Sequence, residues 1–404
     1  MESKPRILIV HNKYQVTGGE DTVVENEKRL LEQNGHDVFS YTRDNSELKT
    51  MGLFQKICLP FGSIFSLKTY HEIKQIIKKK QIDIVHVHNT LALISPSVYY
   101  AAFSCKIPVV QTIHNFRLLC PAATFYRNGQ ICEECLSKGL KAALIHNCYR
   151  NSKLQTFFCV LNLKIHRLLG TYRKLSYICL TEFNKDKLLS LNYTQRRLLI
   201  NPNHVFIKPN FTFGYKKIEE TIKATDRDFY LYIGRIENLK GIPLLVNAFQ
   251  EMDGKSLVLV GSGELYSQYL ADKTNFEKQD IFFLGEQNHE KVGELLAKAK
   301  ALIFPTQCYE NLPMVIIESF SQGTPVIGSN LGNSDYLIEH GKTGLKFDYK
   351  EVASLKSAIA DFEVMDSELM SQNAWKEYYQ KYSSHKNYEL LKAIYLKLLA
   401  EKID

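Results

Sequence analysis

Glu310 and Glu318, with seven residues between them in Glu310-Asn311-Leu312-Pro313-Met314-Val315-Ile316-Ile317-Glu318, are the carboxylates whose placement most suggests chemistry. The segment follows an apolar run at 301–304 and opens a helical pattern. Pro313 suits a first helical position, where its missing N–H costs nothing, and the unpaired N–H groups of a helix start favour an anionic or hydroxyl-rich ligand. Glu310 precedes the helix and Glu318 lies more than a turn inside it, so the two can accept hydrogen bonds from different parts of an elongated ligand. Alone, they would more often be a helix cap and part of a solvated face. Their company decides the matter. Gly234-Arg235-Ile236-Glu237-Asn238-Leu239-Lys240-Gly241 stands between a strand run and a helical pattern beginning at Pro243. Two cations and two glycines there supply what a diphosphate needs: fixed positive charge, close backbone approach and a helix N-terminus. Gly261, in Val260-Gly261-Ser262-Gly263-Glu264, follows another strand run and also admits a ligand closely.

The elements that must position these residues are short β-rich runs alternating with amphipathic stretches, the pattern of parallel sheets covered by helices. In the first half the runs are 6–11, 36–42, 82–88, 108–114, 177–180 and 205–208, with helical patterns at 21–34 and 70–80. In the second half they are 229–233, 256–260, 281–284, 301–304 and 325–328, with helical patterns at 243–250 and 289–298. Both halves read as open α/β sheets, broken at the polar, proline-containing Lys208-Pro209. The spacing predicts domains at 1–208 and 209–386, with a helix over 387–404 that crosses back onto the first. Ligands bind at the carboxyl ends of strands in such sheets. Pro108–114 ends on His114-Asn115, and 6–11 leads to Thr17-Gly18-Gly19-Glu20. His114 alone would more often be structural, and His86 and His88 are read as structural.

The chain has 404 residues, room for two domains. Residues 1–205 hold 28 Lys and Arg against 15 Asp and Glu, a balance of +13, while 206–404 hold 23 against 28. A basic first half fits nucleic acid, phospholipid headgroups or a lipid diphosphate. The start of the chain has no leader pattern, and the uncharged stretch 89–105 is too short and broken to span a bilayer, so a cytoplasmic location is expected. Nine cysteines form no disulfide framework. Four of them, Cys120, Cys132, Cys135 and Cys148, cluster as C-x11-C-x2-C-x12-C. Both reduced thiols and a structural zinc pinning the segment after His114 remain open readings.

Two fingerprints fail. A dinucleotide loop beginning at Gly261 would need Gly or Ala at 266, where Tyr266 stands, and a P-loop ending at Gly341-Lys342-Thr343 would need a glycine where Tyr336 stands. Asp226-Arg227-Asp228 precedes its strand and is read as a solvated turn.

Taken together, the Gly-Arg…Lys-Gly loop, the spaced glutamates, Gly332-Asn333-Ser334 and Gly341-Lys342-Thr343-Gly344 resemble the retaining glycosyltransferases of family 4, over essentially the whole chain. The resemblance implies the GT-B fold: two facing Rossmann-like domains with mostly parallel sheets, an acceptor-binding first domain and a nucleotide-sugar-binding second domain, with a cleft between them. It implies that Arg235 and Lys240 bind the donor diphosphate, that Glu310 contacts the transferred sugar and that Glu318 holds the ribose hydroxyls. Gly18 and Gly19 would let the first domain close over the diphosphate, and His114 would touch the donor sugar or acceptor. Gly234, Gly261, Asn311, Leu312 and Pro313 would line the donor, with Asn311 standing where the family commonly has Gly or Ser. The activity implied is metal-independent, retaining transfer from a UDP- or GDP-sugar to a glycan or lipid-diphosphate-linked acceptor, as in surface polysaccharide synthesis. No cofactor and no nucleic acid would be involved. The charge balance of the first half, with apolar Met51-Gly52-Leu53-Phe54 and Ile64-Phe65 leading into Lys74 and Lys78-Lys79-Lys80, suggests a place on the inner face of the cytoplasmic membrane. A nucleotide-sugar 2-epimerase and an inert polyanion-binding module are the alternatives; the basic first half argues against the former and the intact Arg235, Lys240, Glu310 and Glu318 against the latter.

Overall fold

The computed structural model describes residues 4–15, 18–194, 200–215 and 224–401. The chain forms two compact units, one of residues 1–125, 132–210 and 387–404, the other of 126–131 and 211–386. The chain thus leaves the first unit after Asn210, and the six residues 126–131, which the sequence pattern assigns to the first domain, are counted with the second.

The first unit contains strands β1 (Ile7–Lys13), β2 (Val38–Asp44), β3 (Ile84–Asn89) and β4 (Val109–Thr112). It also contains β7 (Ser176–Cys179) and β8 (Val205–Ile207); between β4 and β7 in the chain come β5 (Tyr126–Arg127) and β6 (Gln130–Ile131), an antiparallel hairpin that belongs to the second unit. The main sheet runs β2-β1-β3-β4-β7-β8, parallel throughout. β1 and β3 are buried along nearly their whole length, as expected for strands covered on both faces. β3 departs from an all-apolar strand: His86 and His88 alternate with Val85 and Val87, so one face of the central strand carries imidazoles. Order reverses between β1 and β3, which places Gly18, Gly19 and His114 after strands near that switch point.

The second unit repeats the plan with β9 (Phe229–Ile233), β10 (Ser256–Val260), β11 (Ile281–Gly285), β12 (Ala299–Phe304), β13 (Val326–Ser329) and β14 (Gly344–Phe347). Its order is β11-β10-β9-β12-β13-β14, again all parallel. Tyr230, Leu245, Phe249, Ile359 and Phe362 meet in its core. Leu245 and Ile359 are fully buried, each contributing about 1.5–3 kcal/mol of transfer free energy. The reversal here lies between β9 and β12, the strands that precede the Arg235–Lys240 loop and the Glu310 segment.

Local expectations needed adjustment in three places. β14 is four residues long and has too little pattern to stand out. Pro313 is the N-cap of the helix Met314–Ser321 and not its first helical residue; its ψ of 117° is extended. Arg227 is not solvated. The residue is 6% exposed and its guanidinium donates to the carbonyl of Gly323 (3.1 Å) and the hydroxyl of Thr324 (3.2 Å), while Asp226 and Asp228 are exposed. No helix among the described residues is long and apolar enough to cross a membrane.

Candidate active site

In the second unit the loops at the ends of β9, β10 and β12 pack backbone against backbone. The Gly234 N–H donates to the Val260 carbonyl (3.0 Å), the Ile236 N–H to Ser262 (2.8 Å) and the Gln307 N–H to Leu239 (3.1 Å). A Cβ on Gly261 would lie 2.0 Å from the Gly234 oxygen, and one on Gly241 1.9 Å from the Pro305 oxygen. Both residues also have positive φ, so only glycine lets these loops meet.

The meeting brings Lys240 to Glu310: the ammonium donates to the carboxylate, and the two are 18% and 20% exposed. Burial by itself would raise the Glu310 carboxyl, but the Lys240 charge and hydrogen bond, helped by the Thr306 hydroxyl, hold it below the usual range. Burial would lower the Lys240 ammonium, and Glu310 reverses this, so it stays charged. Arg235 is 62% exposed and pairs with Glu237 at 2.9 Å, yet its charge also acts on Glu310 and Lys240. Asn333, fully buried, donates to the backbone carbonyls of Glu310 (2.7 Å) and Asn311, which fixes the segment before the helix. Leu312 is buried beneath it. Glu318 stands on that helix, its carboxyl pushed up to about 7 by burial alone. Tyr215 feels its charge and stacks on His289 at 4.4 Å between ring centres.

In the first unit Thr17 falls outside the described residues. Gly18 and Gly19 are exposed at the start of the helix Gly19–Gln33, with nothing within 4 Å of a Cβ placed on Gly18. Asp21 holds this loop by accepting from the Gly18 N–H (2.9 Å) and lying 2.7 Å from His11 Nε2. Glu20, the fourth residue of the motif, accepts from the Tyr14 hydroxyl at 2.8 Å. Burial pushes its carboxyl up to about 8, against the Tyr14 hydrogen bond. Asn115 donates to the same hydroxyl at 3.3 Å.

His114 lies two residues past β4, partly exposed, with Nε2 2.8 Å from His88 Nδ1. Behind it sits a buried network. His86 Nδ1 is 3.0 Å and His88 Nε2 3.4 Å from Glu27 Oε1, and Lys208 Nζ is 2.6 Å from Glu27 Oε2. Lys208 also donates to Asn387 Oδ1 (3.2 Å), while Tyr395 lies 2.7 Å from His86. Burial, followed by His86, pushes His88 down to about 3; burial, followed by His88, holds His114 well below 6.5. Both imidazoles are therefore neutral near pH 7 and share a single proton along their contact. Glu27, His86 and His88 place ligand atoms within 4.8 Å of one another, but the Lys208 ammonium already supplies the positive charge there.

The geometry thus unites Arg235, Lys240 and Glu310 in one unit and gives His114 a support that no local signal announced. Glu27 and Lys208 are 181 positions apart in the chain. Asn333 was visible only as part of a motif, and Glu20 only as the residue after two glycines.

Comparison with known proteins fits this arrangement. The family described as Glycosyltransferase Family 4 matches residues 17–205, and the family described as Glycosyl transferases group 1 matches 215–382. A D-rhamnosyltransferase of Pseudomonas aeruginosa is 28% identical over 39% of this chain and 42% of its own length. A UDP-Gal:alpha-D-GlcNAc-diphosphoundecaprenol alpha-1,3-galactosyltransferase of Escherichia coli is 22% identical over 86% of this chain and 83% of its own. For the first two curated relatives the match takes in 42% and 58% of the relative, about half their length. The crystal structure of Anabaena HepE in complex with UDP superposes with a TM-score of 0.63, at 15% identity over 96% of this chain and 99% of that one, a likeness of fold.

Proposed function

We propose that this chain, which belongs to the group 1 glycosyltransferases of family 4 and has their GT-B fold, moves a sugar from a UDP- or GDP-sugar to a glycan or lipid-diphosphate-linked acceptor with retention of configuration. The observation that carries the reading is the Lys240–Glu310 pair beside Arg235 at the ends of β9 and β12. A diphosphate needs cations whose charge is held and accessible, and a transferred sugar needs an ionised acceptor for its hydroxyls; the loop offers both within one hydrogen-bonded unit. In this reading Arg235 and Lys240 balance the charge that builds on the departing nucleotide. Glu310 orients the sugar, Glu318 accepts the ribose hydroxyls, and Gly18, Gly19, Gly234 and Gly261 leave room for the diphosphate. Asn311 and the neighbours of Pro313 offer backbone N–H groups. The second unit takes the donor and the first takes the acceptor.

Neutral His114 touches the donor sugar or acceptor and acts as a hydrogen-bonding group, not as a base. With Glu310 and Glu318 assigned to binding in this reading, the departing phosphate accepts the acceptor's proton, and attack comes from the leaving-group side. The activities of the relatives, a galactosyl donor on UDP and a lipid-diphosphate acceptor among them, support this class of substrates. Mass-spectrometric screening of the purified protein against a panel of nucleotide-sugars tests the reading, with release of free nucleotide as the minimal signal. No turnover with any UDP- or GDP-sugar would defeat it, as would epimerisation of the donor sugar without transfer. For a product formed from an α-donor, the anomeric proton in NMR must report an α-linkage.

The first unit also carries a membrane reading. The helix Leu53–Ile64 buries none of its side chains, and Leu53, Phe54, Ile57 and Phe61 are 61–78% exposed. With the basic balance of residues 1–205, this apolar face suits an anionic headgroup layer on the cytoplasmic side. Co-sedimentation with anionic vesicles, weakened by salt and by Phe54→Ser, is the expected result; equal binding to neutral vesicles would contradict it.

A further inference from the structure

We infer that His88 is a positioning residue for His114, fixing it as the tautomer that keeps its hydrogen on Nε2 and turns a bare Nδ1 outward. The group that His114 meets on a ligand is then a hydroxyl, not a phosphate or carbonyl oxygen. The choice of ligand group rests on the proposed function; the order of the protons is a property of the first unit alone.

That order is set from one fixed end. Glu27 stands on the helix Gly19–Gln33 and is fully buried. Its Oε2 accepts from the Lys208 ammonium at 2.6 Å. With that charge beside it the carboxylate stays ionised, and an ionised carboxylate only accepts. Its other oxygen, Oε1, faces two imidazoles of β3: His86 Nδ1 at 3.0 Å and His88 Nε2 at 3.4 Å. His88 Nε2 has no other hydrogen-bond partner among the described residues. A ring nitrogen so placed carries its hydrogen, because a bare one would oppose lone pair to lone pair in a space closed to solvent. His86 stays outside the relay. Its Nδ1 also lies 2.7 Å from the Tyr395 hydroxyl, and its Nε2 2.7 Å from that of Thr112. Among the described residues, Glu27, His86 and His88 bring possible ligand atoms within 4.8 Å of one another, and no three of Cys120, Cys132, Cys135 and Cys148 do. Lys208 already fills the role of a cation at this group.

The remaining protons follow. A neutral imidazole has one N–H and one lone pair. His88, with its hydrogen on Nε2, keeps the lone pair on Nδ1, and that atom is 2.8 Å from His114 Nε2. His114 therefore donates through Nε2 and holds its own lone pair on Nδ1. Both rings are neutral as this requires, since burial, followed by the neighbouring imidazole, holds each well below 6.5. His114 lies two residues past β4 and is partly exposed. Its Nδ1 has no partner among the described residues, so it is the nitrogen left for a ligand. A bare Nδ1 accepts from a sugar hydroxyl and repels an oxygen that has no hydrogen to give. The opposite order, with a hydrogen on His114 Nδ1, would leave His88 Nε2 bare against Glu27.

Histidine-selective nitrogen-15 labelling of the full chain reads this order without any substrate. Long-range proton–nitrogen spectra near pH 7 should show a protonated Nε2 and a bare Nδ1 for both His88 and His114. His88→Leu removes the acceptor, and the His114 nitrogens should move to the averaged positions of an imidazole free in water. His88→Asn, whose side-chain oxygen can accept from Nε2, should keep the pattern of the unmodified chain. If His88→Leu fails to fold, the unmodified chain and His88→Asn decide. A hydrogen on His114 Nδ1, averaging over both nitrogens in the unmodified chain, or an unchanged His114 in His88→Leu would each overturn the inference. In transfer assays His88→Leu should slow turnover roughly tenfold, about the worth of one neutral hydrogen bond. Affinity for UDP or GDP should stay unchanged, and His88→Asn should restore most of the rate. Failure of every nucleotide-sugar to react, with the spectra as expected, would defeat the proposed function and leave the proton order standing. Transfer by a chain with a hydrogen on His114 Nδ1 would defeat the proton order alone.

Discussion

Each unit holds a lysine–glutamate pair, and the two pairs are built for opposite purposes. Glu27 and Lys208 of the first unit are 0% and 1% exposed, with His86, His88 and Asn387 occupying the space around them. Lys240 and Glu310 of the second unit remain partly open, and Arg235 beside them is largely in solvent. A closed pair has already met the cost of leaving water and can only hold structure. An open pair backed by a second cation keeps charge in reserve for an anion that arrives later. In the proposed function the same two residue types thus serve as a fastening behind β3 and as a receptor at the ends of β9 and β12.

The largest effect should come from breaking the fastening. Lys208→Met leaves the Glu27 charge buried, and removing one partner of a buried pair costs about 3–5 kcal/mol. Urea unfolding should show that loss, and Glu27→Gln together with Lys208→Met should recover much of it. Burial would raise Glu27, but Lys208 and then His86 hold it well below 4.5. Its contribution is accordingly present above about 4.5, the unfolded value, and is lost as pH falls through the lower folded value. A single-variant cost below about 1 kcal/mol would mean that water reaches the pair.

Opening the receptor should act on turnover instead. Lys240→Ala or Arg235→Ala should reduce the transfer rate by roughly 10²-fold or more, as when a preorganised charge stabiliser is removed. Stability should move little, because a partly exposed pair is worth about 1 kcal/mol or less. Matching losses of activity and melting temperature would make Lys240 a second fastening.

The contrast also marks what sequence could and could not disclose. Both sheets were legible, since a parallel strand buried on both faces must be an apolar run and eleven such runs stand out. The grouping of Arg235, Lys240 and Glu310 was legible too. Arg235, Lys240 and Glu310 sit in loops immediately after strands, and the topology carries those ends together without help from distant residues. The fastening was not. Lys208 appeared in a polar, proline-bearing break that looked like a linker, and its partner lies near the other end of the first unit. His86 and His88, read as structural from their strand, do serve structure, but their link to His114 depends on pairings across β3 and β4. Arg227 was misread for the same reason: a charged residue between two aspartates looks solvated until the carbonyls it satisfies, at Gly323 and Ala299, come into contact.

A third, intermediate effect should sharpen the description of the receptor. Burial holds the Glu318 carboxyl at about 7 in the ligand-free chain. Because this folded value is raised, its stabilising contribution is fully present below the unfolded value near 4.5 and is lost as pH rises through about 7. Ribose hydroxyls donate to the ionised form, so nucleotide binding runs the other way and must expel the proton. Affinity for UDP or GDP, whichever the donor uses, should therefore be constant above about 7 and fall towards tenfold per pH unit below it, for one proton. Calorimetry from pH 5 to 8, with Glu318→Gln as the weak but pH-independent reference, reads this directly. An equal slope in the variant would assign the proton to another group.

The smallest expected effect is none at all, and it bears on whether the receptor is complete. If Arg235 and Lys240 together balance the departing diphosphate, a divalent cation has no charge left to neutralise, and EDTA should leave initial rates of transfer unchanged. The electrostatics are consistent. Lys240 stays protonated through Glu310, and the Arg235 guanidinium stands beside the pair. Glu310 is taken up by Lys240 and Glu237 by Arg235, so neither of these two carboxylates is idle. Circular dichroism must accompany the rates, so that a loss of fold is not read as a loss of chemistry. An immediate loss with the fold intact, restored by Mg²⁺ or Mn²⁺, would show that the receptor needs a metal. Arg235→Ala makes the comparison sharper: with one cation removed, added Mg²⁺ should recover part of the lost rate, whereas the unmodified chain should not respond.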